Sequence, residues 1–228
     1  MSEPYEYGLW QLVLFHIGIF LFFGLSFLRP RKRREWRSMG AFAAFVVALY
    51  TEMYGFPLTI YLLTTWLGRF PVAAPFAHAS GNLWASLALG GWGAGLFMTL
   101  GGLVILLGML LMGQGWQVIH QAQGSLVTSG VYGKIRHPQY VGIGLVILGA
   151  LIQWPTLLTL LMAPVLLASY GRLARREGRE LEARFGEEYR NYRERVPMFI
   201  PRWLPDHWRR EIPAPVGAGD PRRPDMGS

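Results

Sequence analysis

The chain has 228 residues, 52% of them hydrophobic, a formal net charge of +8 and no cysteine. Long apolar runs almost free of charge exclude an ordinary soluble domain and indicate an integral membrane protein. The lack of cysteine excludes disulfides, thiolate nucleophiles and cysteine-ligated metals. The positive charge does not read as a nucleic-acid signal. Every Lys and Arg except Arg69 falls between Arg29 and Arg37, at Lys134 and Arg136, or from Arg172 onward. All of these can face the cytoplasm in one topology, as basic residues of membrane proteins tend to do.

The N-terminus carries Glu3 and Glu6 and no basic residue before Arg29, so the first apolar run is expected to be a retained helix rather than a secretory signal. A first helix is predicted over 8–28, crossing from outside to inside, with the Arg29–Arg37 cluster as its stop. A second runs over 39–66, and Pro57 should kink it or end it early. Residues 67–91 are read as an outer loop, 92–113 as a third helix and 114–137 as a cytoplasmic loop. The stretch 139–170 is interrupted by Gln153-Trp154-Pro155. Each half has about 15 residues and so spans ~22 Å, short of a ~30 Å hydrocarbon core, which predicts a short helical hairpin. From Tyr170 to Val196 the residues Leu173, Leu181, Phe185, Tyr189, Tyr192 and Val196 recur at helical spacing. They define an amphipathic cytosolic helix that Gly178 and Gly186 weaken or bend. A loose Pro/Arg-rich tail follows. The fold class is therefore all-α, a polytopic membrane protein. Five transmembrane helices are expected, counting the hairpin, with the N-terminus outside and the C-terminus cytoplasmic.

Chemistry concentrates at residues 126–142, where Arg136 and His137 precede Pro138 at the start of an apolar helix. Pro is well placed there because the first helical N–H has no partner to lose. Gly130, Gly133 and Gly142 suit close backbone approach to a ligand. Tyr132 and Tyr140 could stack on a ring or sit in an interfacial belt. Arg136 could instead bind a lipid phosphate, and His137 could be a plain interfacial cap. Glu177 lies four residues from both Leu173 and Leu181, which puts a carboxylate on an apolar helix face. It needs either a partner, such as Arg136, or a ligand. Glu52 falls mid-helix, where an ionisable group is a functional candidate, with Tyr54 nearby; the alternative is a pair with His16 or Gln11. His120 is a further possible ligand contact. No spacing suggests a metal site, and no P-loop or dinucleotide fingerprint is present.

The run from Leu126 to Tyr132, then Arg136-His137-Pro138 with Tyr140-Val141-Gly142, resembles the isoprenylcysteine carboxyl methyltransferase family. So does a second block: Glu177, Leu181, Phe185-Gly186-Glu187-Glu188-Tyr189, Tyr192, Arg195-Val196-Pro197 and Pro201. The likeness covers about 114–203. It divides the chain into N-terminal membrane helices (1–113), a methyltransferase core (114–203) and a tail (204–228). It implies a membrane-embedded enzyme that uses S-adenosyl-L-methionine on a lipophilic acceptor, with the cofactor at the cytoplasmic side. The implied cofactor residues are His120, Leu126, Gly130, Tyr132, Arg136, His137, Pro138, Tyr140, Glu177 and Tyr189, with Arg136 and His137 in the catalytic role. Glu52 and Tyr54 are candidates for the acceptor side. The chain has Glu177-Gly178 where the family usually has two glutamates. A prenylcysteine-type carboxylate, a phospholipid amine and a small thiol all remain open as acceptors. An NADPH-dependent sterol-type reductase and a non-enzymatic membrane scaffold are the competing classes.

Overall fold

The computed structural model describes residues 7–28, 33–67, 91–121 and 125–201. The expected outer loop and Pro/Arg-rich tail lie outside these, as do the side chains of the Arg29–Arg37 cluster. All regular structure among the described residues is helical. The helices are α1 (Trp10–Leu28), α2 (Arg33–Tyr50), α3 (Leu58–Leu67), α4 (Gly91–Gln121), α5 (Pro138–Gln153), α6 (Leu157–Phe185) and α7 (Glu187–Arg195).

The predicted second helix is two helices. A wide turn over Thr51–Gly55 ends α2, Phe56 is extended, and Pro57 precedes α3. The physical reason is the one the sequence offers: proline removes an N–H and pushes the residue before it out of helical conformation. The expected cytoplasmic loop begins later than residue 114, because α4 continues to Gln121. The hairpin is also corrected. Its first arm, α5, has 16 residues, but its second, α6, runs unbroken for 29 residues through Tyr170 and Gly178. The end of apolar sequence is not the end of helical backbone, since arginine and glutamate are good helix formers. At ~1.5 Å per residue α6 is about 43 Å long, ample to cross a bilayer. By length and apolarity, Gly95–Ile119 and Leu157–Phe185 qualify as membrane spans, while Trp10–Phe23 and Pro138–Gln153 are shorter apolar helices.

The packing is that of a membrane protein. Helices α4 and α5 approach backbone to backbone. A Cβ on Gly108 would lie 2.6 Å from the Gly142 carbonyl oxygen, and one on Gly149 would lie 2.7 Å from that of Gly101. Small residues replace bulk at such crossings because lipid offers no hydrophobic drive to force larger side chains together. Large apolar side chains point outward instead: Phe15 and Phe22 on α1, Leu103 and Leu107 on α4, Leu161 and Val165 on α6. The main core joins Phe45, Val46 and Met53 to Ile143, Ile147, Leu166 and Tyr170. A smaller core of Tyr189, Tyr192 and Val196, with Leu126, Leu181 and Phe185 against it, seats α7.

Two devices fix the ends of α6. Thr156 and Thr159 form a reciprocal capping box at the start of α6. At the far end, Gly186 adopts φ +56, ψ −125, which glycine tolerates, and this turns the chain into α7. Glu182 then accepts from Arg190 Nε at 3.1 Å and Arg193 at 2.6 Å across the turn.

Candidate functional site

The polar cluster at the N-terminus of α5 is assembled from three separate segments. Pro138 opens the helix as expected, and His137 is its buried N-cap residue. The chain after α7 returns alongside this loop: the Arg136 N–H donates to the Pro197 carbonyl (2.9 Å) and the His137 N–H to that of Met198 (3.3 Å). The Phe199 ring lies 6.1 Å from the His137 ring. The Tyr192 hydroxyl donates to the Tyr132 carbonyl at 2.8 Å, locking α7 onto the short 3-10 turn Gly130–Gly133. Helix α6 supplies Glu177, whose Oε1 accepts from the Tyr140 hydroxyl and whose Oε2 lies 3.7 Å from His137 Nδ1.

That His137–Glu177 approach is not an ion pair. Burial, and then the adjacent Arg136 charge, push the His137 pKa down to about 4, so the imidazole is neutral at pH 7. At 3.7 Å it is also too long for a hydrogen bond. The Tyr132 and Tyr192 hydroxyls are driven up by burial, with Glu177 adding to the first and Tyr189 to the second. The phenols are therefore neutral donors at physiological pH.

A cavity of about 200 Å³ adjoins this cluster, lined by Leu126, Tyr132, Arg136, Arg184, Tyr189 and Tyr192 among others. Three buried polar atoms at the site have no hydrogen-bond partner among the described residues: Arg136 Nε, His137 Nε2 and the Tyr189 hydroxyl. Buried unsatisfied groups are costly, and two of the three residues, Arg136 and Tyr189, line this cavity, which marks it as a candidate ligand site. The room around Tyr189 depends on Gly178, where an added Cβ would lie 2.9 Å from the Tyr189 oxygen.

The structure thus brings together Leu126, Gly130, Tyr132, Arg136, His137, Pro138, Tyr140, Glu177 and Tyr189. Arg136 does not pair with Glu177; the partner is Tyr140. The glycines serve structure more than ligand approach: Gly130 has φ +61 at the start of its turn, and Gly142 belongs to the α4–α5 crossing. His120 falls in the last turn of α4 rather than in a loop, and its side chain lies outside the described residues. Sequence reasoning passed over Pro197, Met198 and Phe199 as site elements. Two of them act through backbone carbonyls, which leave no signature in residue type.

Glu52 and Tyr54 are elsewhere. Glu52 Oε2 accepts from the Thr59 N–H at 2.7 Å, capping α3, and Thr59 Oγ1 accepts from the Leu157 N–H at 2.9 Å, capping α6. Tyr54 stacks on His16 with ring centroids 5.1 Å apart. Leu157 and Glu177 are twenty residues apart on one helix, or about 30 Å along its axis. The expected acceptor residues therefore sit at the opposite end of α6 from the Arg136 cluster, and Glu52 has a structural partner other than His16 or Gln11.

Comparison with known proteins gives first a class. Residues 91–188, from α4 into α7, match the phospholipid methyltransferase family (PEMT). The chain is also 38% identical over 77 residues to the protein-S-isoprenylcysteine O-methyltransferase of Schizosaccharomyces pombe, covering 33% of each chain. It is 33% identical over 141 residues to the cobalt-zinc-cadmium resistance protein CzcN of Cupriavidus metallidurans, covering 60% of this chain and 63% of that protein. The matches thus span a third and under two thirds of these relatives. The resemblance to the isoprenylcysteine carboxyl methyltransferase family is borne out by these two matches, the family model over 91–188 and the isoprenylcysteine methyltransferase over a third of the chain.

Proposed function

We propose that this protein is an integral membrane methyltransferase that uses S-adenosyl-L-methionine at the Arg136–His137–Glu177 cluster. The observation that carries the reading is Arg136, whose guanidinium has a buried, unsatisfied Nε at a cavity wall and no ion pair among the described residues. A half-buried cation with a sequestered, unpaired Nε suits an anion, and guanidinium matches a carboxylate in a planar two-point contact.

The donor set fits the cofactor. Arg136 would pair its carboxylate, the Glu177 carboxylate would accept from its amino or ribose hydroxyl groups, and Tyr132 and Tyr189 would wall it. At about 200 Å³ the cavity lies below the ~300–1,000 Å³ of most ligand pockets, so it holds only part of such a molecule. When bound, S-adenosylmethionine supplies an electrophilic methyl group on a sulfonium sulfur. The residues of this chain contribute orientation and exclusion of water. Tyr140 is tied to Glu177 and holds that carboxylate in place. His137, with its pKa depressed to about 4, is a weak base at neutral pH. That favours an acceptor already in its nucleophilic form, as a carboxylate is, over an amine or thiol that must lose a proton.

The acceptor is lipophilic in this reading, and the prenylcysteine-type carboxylate ranks first, with a phospholipid amine second because the matched family bears that name. The test is transfer of labelled methyl from S-adenosylmethionine to a panel of prenylcysteine, phosphatidylethanolamine and small-thiol acceptors in detergent. Label on the prenylcysteine analogue is expected. Label on the amine or thiol alone would refute the choice of acceptor, and no label with any acceptor counts against the enzyme.

A further inference from the structure

A second cavity, about 520 Å³, lies away from the Arg136 cluster. It lies where α6 passes the start of α2 and is lined by Ser38, Ser169, Leu173 and the arginines Arg172, Arg175, Arg176 and Arg179. The Tyr170 hydroxyl donates to the Ser38 carbonyl at 3.2 Å and ties the two helices together at this point. Four cations within two helical turns repel one another. Among the described residues none of the four has an ion pair or hydrogen bond. Two neighbouring carboxylates are turned elsewhere: Glu177 to Tyr140 and His137, Glu182 to Arg190 and Arg193.

The same face of α6 has a second character nearer its N-terminus. Leu158, Leu161, Val165, Ala168, Arg172, Arg175 and Arg179 alternate at spacings of three and four, so they form one stripe. Leu161 is 71% and Val165 62% exposed. The stripe therefore passes from bare apolar surface to bare arginine within about two turns. From Leu161 to Arg172 is ~16 Å along the axis, close to half of a ~30 Å hydrocarbon core. A solvated helix face would not expose leucine and valine on the row that bears the arginines. A purely lipid-facing helix would not carry four unpaired cations around a concavity.

We propose that this stripe is a binding site for an anionic phospholipid. The phosphate seats among Arg172, Arg175, Arg176 and Arg179, and an acyl chain lies along Leu158, Leu161 and Val165. Guanidinium groups match phosphate oxygens geometrically, and basic recesses between membrane helices are suited to such headgroups. The site does not depend on the methyltransferase reading, because it lies on a different face of α6 from Glu177.

The test uses the full-length protein in mixed micelles, with phosphatidylglycerol, phosphatidylcholine and chain-free glycerol phosphate as probes, read by native mass spectrometry and titration. Phosphatidylglycerol should be retained over phosphatidylcholine. Its affinity should fall roughly tenfold or more when Arg172, Arg175 and Arg179 are all changed to Gln. A control removing charge off the stripe, Lys134→Gln with Arg195→Gln, should bind as wild type does. Leu161→Gln with Val165→Gln should weaken the lipid but not glycerol phosphate. The site is overturned if the two lipids bind equally or the arginine triple binds phosphatidylglycerol unchanged. It is also overturned if the control loses as much affinity as the triple. If glycerol phosphate binds as tightly as the lipid, the site takes a soluble phosphate and the lipid assignment falls.

Discussion

The Arg136-His137 pair shows how one backbone arrangement sets two different side-chain chemistries. Both N–H groups are spent on carbonyls of the returning chain, at Pro197 and Met198. That leaves the Arg136 Nε without a partner among the described residues at a cavity wall, while the His137 imidazole is desolvated and held neutral. The His137 pKa is lowered on folding, from 6.5 to about 4. The unfolded chain therefore binds the proton more readily, and this contribution to stability is complete above about pH 6.5 and drains away as pH falls toward 4. Thermal melting in detergent should fall over that window, and His137→Gln should flatten this part of the profile. An unchanged profile in the variant would show that His137 is not the group responsible. Glu52 has one oxygen engaged by the backbone and the other, Oε1, buried without a hydrogen-bond partner among the described residues. An intramembrane carboxylate is a reasonable functional candidate from sequence, yet here it caps α3 and, through Thr59, steadies the start of α6. Glu52→Ala should lower stability by about 1–3 kcal/mol. A melting temperature equal to wild type would contradict the capping role.

At the scale of elements, what was legible in the sequence was whatever proline, glycine and apolarity control. Pro57 ends α2, Pro138 opens α5, Trp154-Pro155 marks the hairpin turn and Gly186 ends α6. What was not legible was helix continuity. The apolar pattern predicts a helix from Tyr170 onward but not that it is one unbroken α6 with the second arm of the hairpin, nor that α4 reaches Gln121. The glycines of the Arg-His-Pro region were visible, but their purpose was not. Gly142 and Gly149 on α5 meet Gly108 and Gly101 on α4, each pair seven residues apart, and this repeat could have been read as a close helix crossing. The consequence is testable. Gly142→Val would press its side chain into the Gly108 carbonyl and Met112, and overpacking of this kind costs about 1–3 kcal/mol. The melting temperature should drop with it, whereas Gly171→Val, where a Cβ meets nothing, should be far milder. Equal effects from the two variants would contradict the tight crossing.

On the scale of the whole molecule, α6 acts as an axle between two poles. One pole holds the α1–α2–α3 junction with Glu52 and Tyr54 at the hairpin tip; the other holds the Arg136 cluster, α7 and the returning chain. Among the described residues the basic side chains gather at the second pole, and the proposed cytoplasmic placement of that pole rests on this pattern. The sequence marked both poles as chemical but had no means of separating them, since the separation follows from the length of α6. If the second pole is the cofactor site, the two ends should respond differently to ligand. Calorimetric titration of S-adenosylhomocysteine into the detergent-solubilised protein, its Arg136→Ala variant and its Glu52→Ala variant measures this directly. Binding by wild type, loss of at least about tenfold in affinity in Arg136→Ala and retention in Glu52→Ala is the predicted result. Undiminished binding in Arg136→Ala, or no binding to the wild-type protein, would contradict it.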